Sequence, residues 1–247
     1  MPADERQQRS AHLTASEWLD LLSGGEVAVE GRLPWSSNYS FLATVSSGDR
    51  SAKAVYKPGT GERPLWDFGT DLYRREVAAY ELSSFLELAL VPETVLRLDA
   101  PLGAGSLQRF VDADFEAHYF TLLEEARYHD RLRELAAFDV LSNNADRKGG
   151  HVLVDGDGRI WGIDNGLSFH ADDKLRTVIW DFAGEAIPER ILEACASLVS
   201  AGVPERIGAL IDEEETAALE SRARRMLRKK LLPAPRDDYR AYPWPLV

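Results

Sequence analysis

Among 247 residues there is one cysteine, Cys195, so no disulfide can form within the chain. A reducing compartment is the default expectation for such a chain, and a disulfide framework is excluded. No apolar run approaches the ~20 residues that a membrane-spanning helix requires. Residues Met1 to Ser10 are polar and charged, with no apolar stretch of the kind a secretory leader carries. A cytoplasmic location without stable membrane insertion is the expectation. Positive charge is in short supply: Lys and Arg number 29 against 41 Asp and Glu, a net charge of −12. That argues against broad binding of nucleic acid or anionic membrane, which needs clustered cations. It leaves ATP open, because a phosphate site needs only a few local donors and a metal. Internal repeats and low-complexity linkers are also missing. What is present is 45% apolar residues, enough for a sizeable core in one large domain or two small lobes.

The first half reads as strands. Residues 26–33 alternate apolar and polar side chains, residues 39–45 are aromatic and β-branched, and residues 52–56 follow the turn signal Ser46-Ser47-Gly48-Asp49. Pro58, Gly59 and Gly61 break the pattern. A helix is predicted over about 70–88, with Val77, Tyr80, Glu81 and Ser84 on one face, and two further strands over 91–98 and 106–111. The character then changes. Residues 114–142 read as mostly helical, with Leu132, Leu135, Ala136 and Val140 on one face. A loop over 142–150 leads to a hairpin, 151–154 and 160–163, turned by Asp155-Gly156-Asp157-Gly158. Residues 176–232 read as helical, and the tail from Pro233 as coil. The pattern predicts an α+β chain with a β-rich N-lobe, residues 1–111, and a mainly helical C-lobe, residues 112–247.

Four residues suggest phosphoryl transfer, a reaction that asks a protein mainly for positioning and charge neutralisation. Lys57 ends the third strand, and Glu76 lies on the next helix where it can pair with Lys57. Asp146 lies in the loop Asn144-Ala145-Asp146-Arg147, and Asp164 follows the second hairpin strand in Ile163-Asp164-Asn165-Gly166. Each has a plain structural reading: a solvated lysine, a surface glutamate, a residue at a helix end, a turn former. The hairpin places the two aspartates near one another, and the set is far more specific than any member.

These segments resemble the phosphatidylinositol 3-/4-kinase-like branch of the protein-kinase superfamily, most of all the type II phosphatidylinositol 4-kinases and an actinobacterial-type bacterial subgroup. Ser36-Ser37-Asn38-Tyr39-Ser40-Phe41 resembles their phosphate loop. Val55-Tyr56-Lys57-Pro58 resembles the Lys strand, and Arg75-Glu76-Val77-Ala78-Ala79-Tyr80 the Glu helix. Ser106-Leu107-Gln108-Arg109-Phe110-Val111 resembles the hinge. Asp146-Arg147 and Ile163-Asp164-Asn165-Gly166-Leu167-Ser168-Phe169 resemble the catalytic loop and metal motif. The resemblance spans about residues 30–185. It implies a two-lobe protein-kinase-like fold, with ATP and Mg²⁺ or Mn²⁺ as cofactors. Carried over, Lys57 contacts ATP phosphates and Glu76 holds it. Ser36, Ser37 and Asn38 cover the phosphates, and the backbone of Gln108, Arg109, Phe110 and Val111 meets adenine. Asp146 positions or deprotonates the acceptor hydroxyl, and Asp164 binds metal. The chain departs from the pattern at His151, where such kinases place a metal-binding Asn. His151 is then either a ligand itself or the start of a strand, with Asn143, Asn144 or water completing the shell.

Other signals weigh less. Asp155-Gly156-Asp157-Gly158 hints at a calcium loop, but position twelve of that loop is Gly166, and a hairpin turn is the better reading. Gly103-Ala104-Gly105 lacks the third glycine of a dinucleotide fingerprint. The histidines form no zinc spacing. The basic run Arg222 to Lys230 reads first as a solvated helix face. The expected function is transfer of the ATP γ-phosphate to a hydroxyl on a small molecule or lipid head group, with no nucleic-acid partner. Two other readings stand beside it: a catalytically weak nucleotide-binding pseudokinase, and an AMP transferase. Trp180 and Phe182 lie where they can line the acceptor region or pack in the core.

Overall fold

The computed structural model describes residues 13–33, 39–63, 65–236 and 240–247. They fall into two compact units. One comprises Met1–Val77 with Pro92–Val111, the other Ala78–Val91 with Asp112–Val247.

The first unit is built on a five-stranded antiparallel sheet in the order β1-β2-β3-β5-β4. Its strands are β1 Glu26–Arg32, β2 Phe41–Ser47, β3 Arg50–Pro58, β4 Thr94–Arg97 and β5 Gly105–Arg109. Alternation does what it should here: Ala43, Val45, Ala52, Ala54, Tyr56 and Leu107 point to one buried face. A helix that strand periodicity does not reveal, α1 (Ala15–Gly24), closes that face with Trp18, Leu21 and Leu22. Thr14 and Glu17 cap it reciprocally, the S/T-x-x-E box that satisfies two otherwise orphaned amides. At its other end, Arg97 Nη1 donates to the Leu22 and Gly25 carbonyls, both at 2.9 Å, and so ties α1 to β4. The register between β2 and β3 is regular, while β1 slips by a residue between Val29 and Gly31.

Helix α2 (Leu72–Phe85) begins in the first unit and ends in the second. It is buried on more than one face: Leu72, Tyr73, Val77, Ala78, Ala79, Tyr80 and Leu82 are all inside. Ser84, placed on one face with Val77, Tyr80 and Glu81, is exposed. At its end the Ser83 hydroxyl accepts from the Leu90 and Val91 amides at 3.0 and 3.2 Å.

In the second unit, residues 114–128 carry only the single turn α3 (Tyr119–Leu122) and a 3-10 turn, so the expected long helix is shorter than its pattern suggested. It is α4, His129–Ser142, with Leu132, Leu135, Ala136 and Val140 buried as anticipated. The hairpin β6 (Val152–Val154) and β7 (Ile160–Gly162) follows. Its turn is organised by Asp155, whose carboxylate accepts from the Asp157 and Arg159 amides at 3.1 and 2.9 Å, so this segment is a hairpin turn. Residues 176–188 are not helical, contrary to the sequence pattern. Their backbone groups are taken by distant partners: Arg176 N–H by the Asn144 carbonyl, Thr177 N–H by Ala241 and Val178 N–H by Arg147. Helices resume at α5 (Glu189–Ala201), α6 (Glu205–Gly208) and α7 (Glu213–Lys229). Ile191, Leu192, Cys195 and Leu198 of α5 are buried, as are Leu219, Ala223 and Met226 of α7, which packs on it. No helix among the described residues is long and apolar enough to cross a membrane.

Candidate active site

Lys57 is paired by β3 with Ser106 of β5, one residue before the strand ends at Pro58. Its ammonium is bound to the Glu76 carboxylate from α2. Lys57 is 19% exposed and Glu76 only 4%, so the pair has one face toward solvent and one toward the core. A buried Glu without this Lys would be a costly unpaired charge. The base of the β1–β2 loop is closed by the Leu33 amide on the Ser40 carbonyl, 2.8 Å, and Tyr39 N–H donates to Gly61 O at 3.1 Å. Gly61 is required there, since a Cβ would lie 2.7 Å from Tyr39 Cβ. Ser36, Ser37 and Asn38 lie outside the described residues.

The segment expected to face adenine is the end of β5 and the residues after it. Gln108 is buried, and its side-chain amide donates to Thr94 Oγ1 at 2.8 Å. The Arg109 and Phe110 amides are spent on the Glu93 and Lys53 carbonyls, at 2.8 and 3.1 Å. Among the described residues, no protein group accepts from Val111 N–H.

The second unit gathers Asp146, Lys148, His151 and Asp164. Helix α4 ends at Asn143 in the left-handed region, φ 58°. Asn143 then grips the chain after residues 163–169: its Nδ2 donates to His170 O and Asp172 O at 2.9 and 2.6 Å, and its Oδ1 accepts from Lys174 N–H at 3.0 Å. Asn144 Oδ1 accepts from Asp146 N–H at 2.9 Å, which shapes the turn that presents Asp146. Next comes Arg147, with no exposure at all. Its guanidinium reaches Asp139 Oδ1 at 2.9 Å, Ile163 O at 2.6 Å and Asn165 Oδ1 at 2.6 Å. One side chain thus joins α4, the Asp146 loop and the residues flanking Asp164. Gly162 leaves room for it, since a Cβ there would come within 3.4 Å of Arg147 Nη2.

Asp146 is 23% exposed, and its carboxylate meets Lys148 Nζ at 2.7 Å. Burial pushes the Asp146 carboxyl above the ordinary range; Lys148 opposes that, and the nearby charge of Asp164 adds to it. Asp164 is 42% exposed and sits at φ 58°, an uncommon conformation for a non-glycine residue. His151 closes a 3-10 turn, with Nε2 3.3 Å from Asp164 Oδ2 and Nδ1 3.4 Å from Lys148 N. Among the described residues, no three His, Cys, Asp or Glu side chains gather as a self-sufficient metal nest. That donor set fits Mg²⁺ bound beside a nucleotide, because Mg²⁺ commonly takes one or two carboxylates and completes its shell with phosphates and water.

Sequence reasoning singled out Asp146, His151 and Asp164 but passed over Lys148, whose signal was its place two residues after Asp146. It also missed the clamp. Asp139 lies among apolar positions of α4, and a carboxylate buried there calls for a cationic partner. Phe182, considered for the acceptor region, is buried, packs edge-on against His129 at 5.9 Å and lies under Arg133.

No family model matches the chain. The Mycobacterium tuberculosis protein Rv2133c is 42% identical over 263 aligned positions, covering 91% of this chain and 94% of that protein. A structure of hydra Fam20 with sugar aligns with a TM-score of 0.56 at 14% identity, over 87% of this chain and 88% of the other. A Helicobacter pylori proinflammatory kinase, CtkA, aligns with a TM-score of 0.47 at 13% identity, over 85% and 94%. The fold, an antiparallel sheet with helices, is similar to kinase-like folds.

Proposed function

We propose that this chain, which belongs to the same family as the Mycobacterium tuberculosis protein Rv2133c, is an ATP-dependent phosphotransferase that moves the γ-phosphate to a hydroxyl acceptor. The observation that carries the reading is the Asp146 loop: a half-buried carboxylate paired with Lys148 and clamped through Arg147 to the strand end that bears Asp164. Such an arrangement holds charge and geometry fixed before substrate arrives, which is what phosphoryl transfer requires of a protein.

In this reading Lys57, oriented by Glu76, neutralises phosphate oxygens. Val111 N–H donates to the adenine ring, and Ser36, Ser37 and Asn38 cover the phosphates. Asp164 holds Mg²⁺ or Mn²⁺, whose chemistry is to neutralise charge on the phosphates. Asp146 orients the acceptor hydroxyl and takes its proton, and its raised pKa suits a base. Lys148, beside Asp146, balances charge as the phosphoryl group arrives. The relation to phosphatidylinositol 3-/4-kinase-like enzymes rests on the motifs around Lys57, Glu76, Asp146 and Asp164. The acceptor is proposed to be a small molecule or lipid head group, although the helix expected from Arg176 begins only at Glu189 and residues 165–188 lie between Asp164 and it, so the acceptor library also includes peptides.

The test is to incubate the pure protein with ATP, Mg²⁺ or Mn²⁺ and a library of hydroxyl compounds, and to follow acceptor mass. A gain of one phosphoryl group supports the reading; a gain of AMP replaces it with nucleotidyl transfer. One observation favours a catalytically weak nucleotide-binding protein instead: His151, where the kinases this chain resembles place a metal-binding Asn, has Nε2 3.3 Å from Asp164 Oδ2. His151→Asn separates the two. If His151 limits metal use, the variant gains activity with Mg²⁺; if both proteins bind ATP and neither transfers phosphate to any acceptor, the binding-only reading stands.

A further inference from the structure

The second unit holds a cavity of about 420 Å³ that neither Asp146 nor Asp164 lines. Its size falls in the range of small-molecule sites. Its apolar lining includes Val140 from α4, Leu175 and Trp180 from the segment that follows residues 163–169, and Met226 from α7. Its charges are unequal. Among the described residues, Arg225, Lys229 and Arg236 line it, with the carboxylate of Asp173. That excess of cation occurs in a chain whose net charge is −12.

Asp173 touches two of these three cations. It reaches Arg225 at 3.4 Å and Arg236 at 3.8 Å, long contacts between exposed side chains, which contribute little. Lys229 has no carboxylate within ion-pair distance among the described residues. One turn before Arg225 on α7 is Arg222, nearly buried. Its guanidinium is held by carbonyls alone, Leu141 O at 2.8 Å and His170 O at 3.2 Å, and its Nη2 has no partner. It adds a positive charge behind the wall, on which the Asp173 and Glu215 carboxylates also act. Trp180 is fixed in the wall by its indole N–H on Ala241 O at 3.1 Å.

From this combination of a cationic rim and an apolar interior, we propose that the cavity binds an amphiphilic anion: a phosphate or carboxylate head on an apolar body. Arg225 and Arg236 supply planar donors suited to such a head, and Lys229 a mobile point charge. The apolar body lies against Val140, Leu175, Trp180 and Met226. The head can belong to a free metabolite or to a lipid in a bilayer, and both present the same chemistry. The wall bears on the candidate active site, because the same segment gives Arg176 N–H to Asn144 O at 2.9 Å and accepts Arg147 N–H on Arg176 O at 3.0 Å. The site is therefore placed to act as an effector site.

Octyl phosphate is the probe, titrated into the full chain as monomer by calorimetry, with inorganic phosphate and octyl glucoside as controls. Flotation with phosphatidylglycerol and phosphatidylcholine vesicles tests the lipid source. Octyl phosphate is expected to bind at least about tenfold more tightly than either control, and Arg225→Gln with Lys229→Glu to remove about tenfold of that affinity. Both residues are surface side chains, and Ala234→Trp, which fills the cavity from its rim, gives a second variant should the first fold poorly. Binding of phosphatidylglycerol vesicles alone, lost in both variants, assigns the head to lipid; binding of monomer alone assigns it to a soluble ligand. The proposal is overturned if octyl phosphate and phosphatidylglycerol both fail to bind. It is equally overturned if octyl glucoside binds as well, or if the variants bind like the native chain.

Discussion

Lys57 and Asp146 stand in the two units and are held in different ways. Lys57 is placed by strand register and by its ion pair with Glu76, and its head is partly open to solvent. Asp146 sits on a loop fixed by a buried polar network in which Asp139, Asn144, Arg147 and Asn165 satisfy one another. The first arrangement is modular: disturbing it removes a contact to a ligand and leaves most of the unit intact. In the second, function and stability share the same side chains, because its groups are stable inside only while fully paired. Substitutions should therefore separate binding from folding in the first unit and confound them in the second.

The largest effect is expected at Arg147. Arg147→Ala leaves Asp139 buried without its cationic partner, a change that costs about 3–5 kcal/mol. Denaturant unfolding should show a loss of that order, with activity lost in step. A double variant, Asp139→Leu with Arg147→Leu, should recover much of the stability but not the activity, because the loop loses its tie to Asn165. If Arg147→Ala unfolds like the native chain, the loop is not held by the network and the contrast between the units disappears.

Within the network, Asp146 and Asp164 can be told apart. Asp146→Asn keeps the shape and removes the base, so turnover should fall by about 10²–10⁴-fold while ATP still raises the melting temperature. Asp164→Asn should remove metal-dependent ATP binding itself. Equal loss of ATP affinity in both variants would contradict that division of roles.

Lys57→Met probes the modular side. Nucleotide stabilisation follows RT ln(1 + [L]/Kd) and should be largely abolished. The apo protein should lose about 3 kcal/mol, the low end for leaving a buried charge without its partner, because Lys57 keeps one face in solvent. A loss of stability as large as that of Arg147→Ala would show the first unit to be as tightly coupled as the second.

The same contrast governed what could be read from sequence. The sheet was legible because Ala43, Val45, Ala52, Ala54 and Tyr56 alternate along regular strands. Lys57 and Glu76 could be found because strand and helix positions are local matters. Helix α1 was missed although Thr14 and Glu17 spell its capping box, a signal shorter than any hydrophobic period. Residues 176–188 misled because Val178, Ile179 and Phe182 are apolar at helix-compatible spacing; their backbone instead pairs with Asn144, Arg147 and Ala241, all distant in sequence. The clamp was illegible for the same reason. Arg147 stands in a motif, but Asp139 and Asn165 become its partners only through the packing of α4 against the hairpin.

The smallest effect is a matter of sign. Burial is the largest influence on Asp146 and raises its pKa in the folded protein, outweighing Lys148. A carboxyl whose folded pKa lies above its unfolded value favours folding in its protonated form. Its ionisation therefore costs stability as pH rises from the unfolded pKa through the folded one, and the cost is complete above that. This is the reverse of a salt-bridged surface carboxylate, whose stabilisation is lost on acidification. Asp146→Asn removes the ionisation, so the variant should be more stable than the native chain at neutral pH, and the difference should shrink as the pH falls below the ordinary carboxylate range. The increment is small because the amide also gives up the charge-assisted bond to Lys148. Unfolding of both proteins across acid and neutral pH measures it. The opposite trend, native chain more stable at neutral pH and equal in acid, would mean that Lys148 outweighs burial. Asp146 would then be an anchored structural carboxylate, and its claim to act as the base would rest on geometry alone.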